Sequence, residues 1–439
     1  MLLARVISIC MMSCLVAGVF GCASVDARAS TNVTVRLWDQ KVAEAYRASF
    51  DKFEALHPEI RVDVRVVPWS DYWTLLRTDI ASGAVDDIFW VNAANYRPYA
   101  DSGDLVDISE ALPADAESAW TPQVVAQYTH GGRLWGVPQL TDPGIGILYN
   151  ANHLREAGLS PEALNALYWD PRSKGDSLRA IAKTLTLDIN GLNPESVGFD
   201  PSKVRQWGYS ASNDLNAILL QFLGSNGASW QQGDSFTFDT SAGREALQYV
   251  VDLIAVEGVA PPASDTNPPT GNDAALRLFL EGRLALFQTG AYNLANVQES
   301  VAFDWGVAEI PVGPLGAISV TNGVVAAGWA GTEHPTAQRE VLGWLGSVEG
   351  SKPIGSHGAA LPAVLGAQSE YFEYWRSNGV DISPMLDVLG NGSIQAPRGN
   401  RYAAAEEAYR PIFNQIFLGD LTVSAGLRAA QAAANDAIE

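Results

Sequence analysis

The chain has 439 residues, of which 47% are apolar, and its 49 acidic against 28 basic residues give a formal net charge of −21. This length allows two or three domains, and the apolar fraction is sufficient for packed cores. The excess of acid disfavours a nucleic-acid binder, because affinity for phosphates comes from Lys and Arg. All three cysteines (Cys10, Cys14 and Cys22) lie near the start, which excludes a disulfide scaffold and a Cys-ligated metal site in the rest of the chain.

The first 21 residues have the composition of a secretory signal peptide. Arg5 is the only charged residue among the first 25, and an uncharged, mostly apolar stretch follows it. The segment Val19-Phe20-Gly21-Cys22 resembles a bacterial lipobox, in which the cysteine is diacylated and becomes the new N-terminus. We expect a signal peptide at 1–21, lipid attachment at Cys22, a polar tether at 22–32 and a protein anchored on the extracytoplasmic face of the cell membrane. Plain secretion and a retained membrane helix are the alternatives.

From residue 33 the sequence alternates between predicted strands and helices. Residues 33–37, 60–67 and 87–91 have the alternating or apolar patterns of strands, and residues 42–56 and 72–82 have helical spacing. This β-α-β-α-β order predicts an α/β domain with mostly parallel strands. Ligands of such domains bind at the carboxyl ends of the strands.

A second α/β region is predicted after a stretch rich in Gly and Pro at 136–149, which we interpret as a crossing between two domains. Helical spacing recurs in four later segments, which are 177–184, 213–223, 244–256 and 274–281. A strand is predicted at 284–288 and a return crossing at 305–314. The Ala-rich residues 401–439 are predicted to be helical.

Four blocks of sequence carry a resemblance to a known family. The first runs from Phe50 to Tyr72 and contains His57-Pro58 and Ile60-Arg-Val62, and the second runs from Gly83 to Leu105 and contains Asp87-Ile-Phe-Trp90. The third runs from Thr141 to Gly158 and contains Tyr149-Asn150, and the fourth runs from Phe279 to Tyr292 and contains Gly282-Arg-Leu-Ala285. Together, and in this order, they resemble the extracellular solute-binding proteins of ABC importers, in the class that binds maltose and other oligosaccharides. Each block is weak alone, and their order along the chain gives the resemblance its strength.

The resemblance implies an α/β fold of the two-lobed periplasmic-binding-protein type (type II), with a ligand cleft at a hinge between the lobes. We assign 33–142 and 311–347 to the N-terminal lobe, and 143–310 and 348–439 to the C-terminal lobe. The family role implied is capture of a mono- or oligosaccharide and its delivery to membrane permease subunits, with the ATPase on a separate chain. We expect a monomer.

Motifs of enzymes and metal sites are missing from the sequence. It has no Walker loop and no Gly-x-Ser-x-Gly elbow, and its five histidines lack metal-ligand spacing. We therefore expect no catalytic residues, no cofactor, no metal and no nucleic-acid partner.

Aromatic residues recur at the predicted ligand-binding edge. A sugar site needs aromatic rings for the apolar sugar faces and polar groups for the hydroxyls. The carboxyl ends of the first three strands each carry a tryptophan, at Trp38, Trp69 and Trp90. The resemblance matches Trp90 and Tyr292 to the sugar-stacking positions of the two lobes. Candidate hydrogen-bonding residues near strand ends, at the crossings or in the C-terminal region are Asp39, Asn92, Gln139, Asp142, Asn322 and Arg398.

Two other functions stay open at this level. A secreted glycoside hydrolase needs two carboxylates about 5–10 Å apart, and the many acidic residues do not exclude such a pair. A binding protein for another solute, such as a glycerophosphodiester or a peptide, is the second alternative, and a phosphate ligand would require converging Arg or Lys. The predicted cleft residues are aromatic and acidic, which favours a neutral sugar.

Overall fold

The computed structural model describes residues 30–439 except 114, 166, 174, 268–270, 391 and 400. The predicted signal peptide, Cys22 and most of the tether lie outside the described residues. The strands are β1 (Thr31–Leu37), β2 (Ile60–Val66), β3 (Ile88–Asn92), β4 (Thr129–His130), β5 (Arg133–Leu134), β6 (Val137–Thr141), β7 (Ile145–Asn150), β8 (Leu187–Asp188), β9 (Val204–Tyr209), β10 (Gln231–Gln232), β11 (Ser235–Phe236), β12 (Leu284–Gly290), β13 (Trp305–Ala308), β14 (Ser319–Thr321), β15 (Gly323–Gly328) and β16 (Ser393–Gln395).

The helices connect and cover these strands. They are α1 (Gln40–Leu56), α2 (Trp69–Ser82), α3 (Arg97–Ser102), α4 (Ile108–Ala111), α5 (Pro122–Tyr128), α6 (Ala151–Glu156), α7 (Ser177–Leu185), α8 (Leu220–Ser225), α9 (Ser241–Ala255), α10 (Ala263–Thr266), α11 (Gly271–Leu280), α12 (Leu294–Ser300), α13 (Pro335–Leu345), α14 (Val348–Ser356), α15 (Gln368–Ser377), α16 (Ser383–Leu389), α17 (Tyr402–Leu418) and α18 (Val423–Ile438). Several begin at a side chain that accepts backbone N–H groups of the first turn, as Asp176 and Thr240 do for α7 and α9.

The first sheet has the strand order β2-β1-β3-β15-β6. β1 is parallel to β2 and β3, whereas β15 is antiparallel to β3 and β6. The carboxyl ends of β1, β2, β3 and β6 therefore meet at one edge, beside the start of β15. β1 begins at Thr31, inside the predicted tether, because Thr31 pairs with Ile60.

The second sheet has the order β13-β7-β12-β9-β8. β9 and β12 are parallel, and β7 is antiparallel to β12 and β13. Alternate residues of its strands enter two separate apolar clusters: Ile147 lies in one, and Leu148 and Phe287 lie in the other. Each sheet has its own core, so the predicted α/β fold with two lobes is confirmed.

The chain passes between the two sheets in three places. The shortest crossing runs from β6 to β7 through Gly144, whose φ is +102°. A side chain there would place its Cβ 2.9 Å from the carbonyl oxygen of Met385, so the crossing needs glycine. The second crossing runs from β13 towards β15, and the third leads from α14 to α15.

The last crossing differs from the sequence-based assignment, which gave residues from 348 onward to the C-terminal lobe. Ile354, Ala363 and Val364 are buried in the cluster that holds β1 and β3. The hydroxyl of Ser49 on α1 donates a hydrogen bond to the carbonyl of Gly350 on α14, at 2.7 Å. The segment 348–367 thus packs mainly on the first lobe, with Leu361 in the second-lobe cluster, and the chain joins that cluster fully within α15.

Across the described ranges, no helix is both long and apolar enough to cross a membrane.

Candidate ligand-binding site between the lobes

A cavity of about 440 Å³ lies where the edges of the two sheets face each other. Its polar and aromatic lining from the first lobe and the adjoining crossings includes Trp38, Asp39, Trp69, Asn92, Asp142 and Asn322. The corresponding lining from the second lobe includes Ser210, Ser212, Asp214, Asn216, Thr289, Tyr292, Asn293 and Asn296. The lining therefore includes seven of the ten residues that the sequence analysis assigned to the ligand: Trp38, Asp39, Trp69, Asn92, Asp142, Tyr292 and Asn322.

Trp38 and Trp69 form the aromatic part of the first-lobe wall. Their ring centroids are 5.2 Å apart in an edge-to-face arrangement. Trp38 also contacts the rings of Tyr72, Trp73 and Trp90 at 5.0–5.6 Å, so its orientation is fixed by packing. Trp69 lies at the first position of α2 and is 47% exposed, which leaves a ring surface available to a ligand.

Trp90 lies beneath this wall and does not line the cavity. Its side chain is fully buried, and its indole Nε1 donates a hydrogen bond to the hydroxyl of Tyr46 at 3.0 Å. It lies two residues before the end of β3, where Trp38 covers it, whereas Asn92 at the strand end reaches the cavity. The prediction that Trp90 stacks on the ligand is therefore wrong.

Gln139 is also in the core, contrary to the sequence-based expectation. It is fully buried, its Oε1 accepts the hydroxyl of Tyr46 at 2.6 Å, and its Nε2 donates to the carbonyls of Val137 and Pro138 at 3.1 Å. Trp90, Tyr46 and Gln139 thus form one hydrogen-bonded chain that satisfies buried polar groups of the first lobe.

Arg398 lies on the surface, away from the cavity lining. Its backbone N–H donates to Oε1 of Gln231 at 3.0 Å, and its carbonyl accepts Nε2 of Gln231 at 2.9 Å. The side chain is exposed. The structure therefore does not bring Arg398 to the cleft.

Three carboxylates line the cleft, and backbone N–H groups hold each of them. Asp39 accepts the N–H of Lys41 at 2.8 Å and so begins α1, and Asp214 accepts that of Ala217 at 2.9 Å. Asp142 accepts the N–H of Gly144 at 2.9 Å in the shortest crossing. Burial raises the pKa of all three, and that of Asp142 reaches about 7.

Tyr292 interacts electrostatically with two of these carboxylates, Asp142 and Asp214. Burial raises the pKa of its hydroxyl well above the usual value, and the charges of Asp214 and Asp142 raise it further. The hydroxyl therefore stays protonated and can donate a hydrogen bond. The side chain remains 45% exposed, so its ring is open to the cleft.

The described lining residues include no Lys, Arg or His. The described part of the chain also contains no group of three or more His, Cys, Asp or Glu that could hold a metal ion. The described lining thus combines aromatic rings, hydroxyls, amides and carboxylates without a cationic side chain.

Most residues of the second-lobe wall are not among those predicted from the sequence. Ser210, Ser212 and Asp214 follow the end of β9, and Asn293 and Asn296 follow Tyr292. The signal was present, because a run of small polar residues directly follows the strand. Residues 204–209 are not predicted to be a strand, so the polar residues after them are not identified as a strand end.

Comparison with known proteins places the chain in a family. The sequence model of the bacterial extracellular solute-binding proteins matches residues 39–352. An uncharacterised lipoprotein of Streptomyces antibioticus is 27% identical over 314 residues, which is 69% of this chain and 64% of that protein. The chain spans 56–64% of the length of the first curated relatives it matches.

Solved structures cover more of the chain. M. tuberculosis UspC is 48% identical, with a TM-score of 0.74, over 92% of this chain and all of that one. An ABC substrate-binding protein of Listeria monocytogenes, solved with cycloalternan, has a TM-score of 0.79 at 20% identity, over 93% and 98% of the two chains. These matches confirm the resemblance found in the sequence blocks. The chain belongs to the bacterial extracellular solute-binding proteins.

Proposed function

We propose that this protein captures a neutral mono- or oligosaccharide in the cleft and delivers it to the permease subunits of an ABC importer. The observation that carries the proposal is the composition of the cleft lining. Exposed aromatic rings suit the apolar faces of sugar rings, and the surrounding amides, hydroxyls and carboxylates suit sugar hydroxyls.

The charges of the lining favour a neutral ligand over a phosphorylated one. Phosphate recognition relies on Arg or Lys that converge on the phosphate oxygens. The described lining offers three aspartates and no cation, and these would repel an anion in a partly desolvated cleft. A glycerophosphodiester is therefore disfavoured relative to a sugar.

The lining also suggests separate roles for its residues. The rings of Trp38, Trp69 and Tyr292 stack on the ligand. Hydrogen bonds to its hydroxyls come from Asp39, Asn92, Asp142, Asn322, Asp214 and Asn216. The Listeria protein solved with cycloalternan shares the fold, which is consistent with a carbohydrate ligand.

A thermal-shift screen of the processed protein against mono- and oligosaccharides tests the ligand class. A ligand that binds the folded state raises the Tm in a concentration-dependent way. Glycerophosphocholine serves as the phosphodiester comparison. A Tm increase with the phosphodiester and with no sugar would reject the proposal.

The same sugars test the competing hydrolase. The proposal expects each bound sugar to be recovered intact after prolonged incubation. Steady hydrolysis that disappears in Asp142→Asn or Asp214→Asn would show that the cleft is catalytic.

We further propose that Cys22 carries the lipid and that the protein acts as a monomer on the outer face of the cell membrane. The sequence before Cys22 has the lipobox pattern, and the Streptomyces relative is named a lipoprotein. Cys22→Ala should prevent processing at this site and incorporation of a radiolabelled fatty acid. Unchanged labelling would exclude Cys22 as the attachment point.

A further inference from the structure

Among the residues that the structure describes, three ion pairs join the two lobes. In each pair the cation comes from the first lobe and the carboxylate from the second. The pairs are Lys41–Glu299 at 2.5 Å, Arg97–Asp234 at 3.0 Å and Arg77–Glu407 at 4.0 Å.

The pair between Lys41 and Glu299 lies next to the cavity. Lys41 is in the first turn of α1, two residues after Asp39, and Glu299 is on α12, three residues after Asn296. Asp39 and Asn296 both line the cavity, so the pair lies at its rim. The hydrogen bond to Glu299 raises the pKa of Lys41, which keeps the ammonium charged at neutral pH.

The pair between Arg97 and Asp234 has the most defined geometry. Arg97 begins α3, five residues after the cavity residue Asn92. Asp234 lies in the turn between β10 and β11, and Nη1 of Arg97 donates to both of its oxygens, at 3.0 and 3.3 Å. The Arg97 side chain is 21% exposed and that of Asp234 is 53% exposed, so solvent ions screen this pair in part.

The third pair extends the same arrangement along α2. Arg77 is two helical turns after the cavity residue Trp69, and it faces Glu407 on α17 of the second lobe. At 4.0 Å, with both side chains well exposed, this pair is the weakest of the three.

We propose that Lys41, Glu299, Arg97 and Asp234 are positioning residues that hold the lobes closed around the cleft, with Arg77–Glu407 as a weaker addition. Opening the hinge separates unlike charges at all three positions, because each lobe carries only one sign of charge in these pairs. A larger closed fraction in the free protein increases the apparent affinity for a ligand that binds the closed form. This latch does not depend on which solute the cleft binds.

Measurement of the distance between the lobes in the absence of ligand tests the latch directly. The three cysteines of the sequence all precede residue 23, so the chain from Ala23 onward accepts two dye-labelled cysteines without interference. Glu110→Cys on the first lobe and Asp420→Cys on the second are both at exposed positions. Single-molecule energy transfer between the dyes reports the open and closed fractions.

Charge reversals in this labelled protein should shift the equilibrium towards the open form. Glu299→Lys and Asp234→Lys each place like charges across the cleft, whereas the double swap Lys41→Glu/Glu299→Lys restores attraction and should restore the closed fraction. Glu373→Lys is the matched control, because Glu373 pairs with Arg376 at 2.6 Å within α15. Raising NaCl from about 10 mM to about 1 M should open the unsubstituted protein in the same way.

The results separate the latch from the proposed sugar. Equal distance distributions for the unsubstituted protein, Glu299→Lys and Asp234→Lys would overturn the latch, as would an equal shift in Glu373→Lys. For any solute that raises the Tm, Glu299→Lys should weaken affinity about two- to fivefold and the double swap should recover it. If no sugar ligand is found, the distances between the lobes measured without ligand still test the latch.

Discussion

The two walls of the cleft are built from different chemistry. The first-lobe wall presents Trp38 and Trp69, which are in ring contact and lie over the buried Trp90. The second-lobe wall is made mainly of short polar side chains around Tyr292. One wall is a packed aromatic surface, and the other is a set of hydrogen-bonding groups.

The difference follows from what lies behind each wall. Behind Trp38 several aromatic rings fill the first core, so the stacking surface is fixed before a ligand arrives. In the second wall, Asp214 accepts a hydrogen bond from a backbone N–H at the start of a helical segment. Because a desolvated carboxylate is costly without further hydrogen bonds, a hydroxyl of the ligand that donates to Asp214 is favoured. We infer that the first wall supplies shape and the second supplies discrimination among hydroxyl patterns.

Trp90→Ala gives the largest expected effect, because it removes the support of the aromatic wall. The substitution leaves a cavity in the first core and breaks the hydrogen bond to Tyr46. We expect the free energy of unfolding to fall by about 3–5 kcal/mol, measured by urea denaturation. Trp90→Phe, which keeps a ring, should lose less. A stable Trp90→Ala protein with weaker binding alone would instead mean that Trp90 touches the ligand.

The cavity lining could be predicted from sequence wherever a residue's position along its strand decided its exposure. Trp38, Trp69 and Asn92 lie at or just after strand ends, and Asp142 lies in a crossing, so all reach the cleft. Trp90 lies two residues deeper than Asn92 on the same strand. Its burial depends on Trp38, which follows a strand far away in sequence, so the local pattern around Trp90 does not reveal this contact.

Prediction of the fold from sequence likewise fails where a position depends on long-range contacts. Alternation and helical spacing identified the first three strands and the two helices between them. The position of α14 was missed because it depends on long-range contacts, such as the hydrogen bond from Ser49 to Gly350. Gln139 was misplaced for the same reason, since only its partner Tyr46 explains a buried amide there.

Trp69→Ala is the next largest expected effect and separates the exposed ring of the wall from its support. Trp69 is 47% exposed, so the free energy of unfolding should change by about 1 kcal/mol or less. Loss of the stacking face should weaken sugar binding by about 1–3 kcal/mol in calorimetry. Leu56→Ala, at a 67% exposed site on α1 outside the cavity lining, is the control and should bind normally. Equal affinity in both variants would remove Trp69 from the site.

Asp142 should make the free energy of unfolding depend on pH. Burial raises its pKa to about 7 in the folded protein, above the usual carboxyl value of 3.8, so the folded state holds the proton that the unfolded chain has lost. The free energy of unfolding should therefore fall as pH rises from about 4 to about 7. Asp142→Asn, which is always neutral, should remove this part of the fall.

Urea denaturation of both proteins across that pH range isolates the contribution of Asp142. Burial also raises the pKa of Asp39 and Asp214. Their contributions are present in both proteins, so they cancel in the difference between the two plots of unfolding free energy against pH. Parallel profiles would show that Asp142 is ionised and solvated at neutral pH. In that case Asp214 on the second-lobe wall would be the buried carboxylate that accepts a hydrogen bond from a ligand.

Arg398→Ala should have the smallest effect and defines the outer limit of the site. The residue is joined to Gln231 through backbone N–H and carbonyl groups, which alanine retains, and its side chain is exposed. We expect stability and ligand affinity within about 0.5 kcal/mol of the unsubstituted protein. Gln231→Ala, which removes both hydrogen bonds, is the structural comparison. A loss of affinity of tenfold or more in Arg398→Ala alone would show that this guanidinium reaches the ligand when the lobes move, and the cleft would then have the cation that favours an anionic solute.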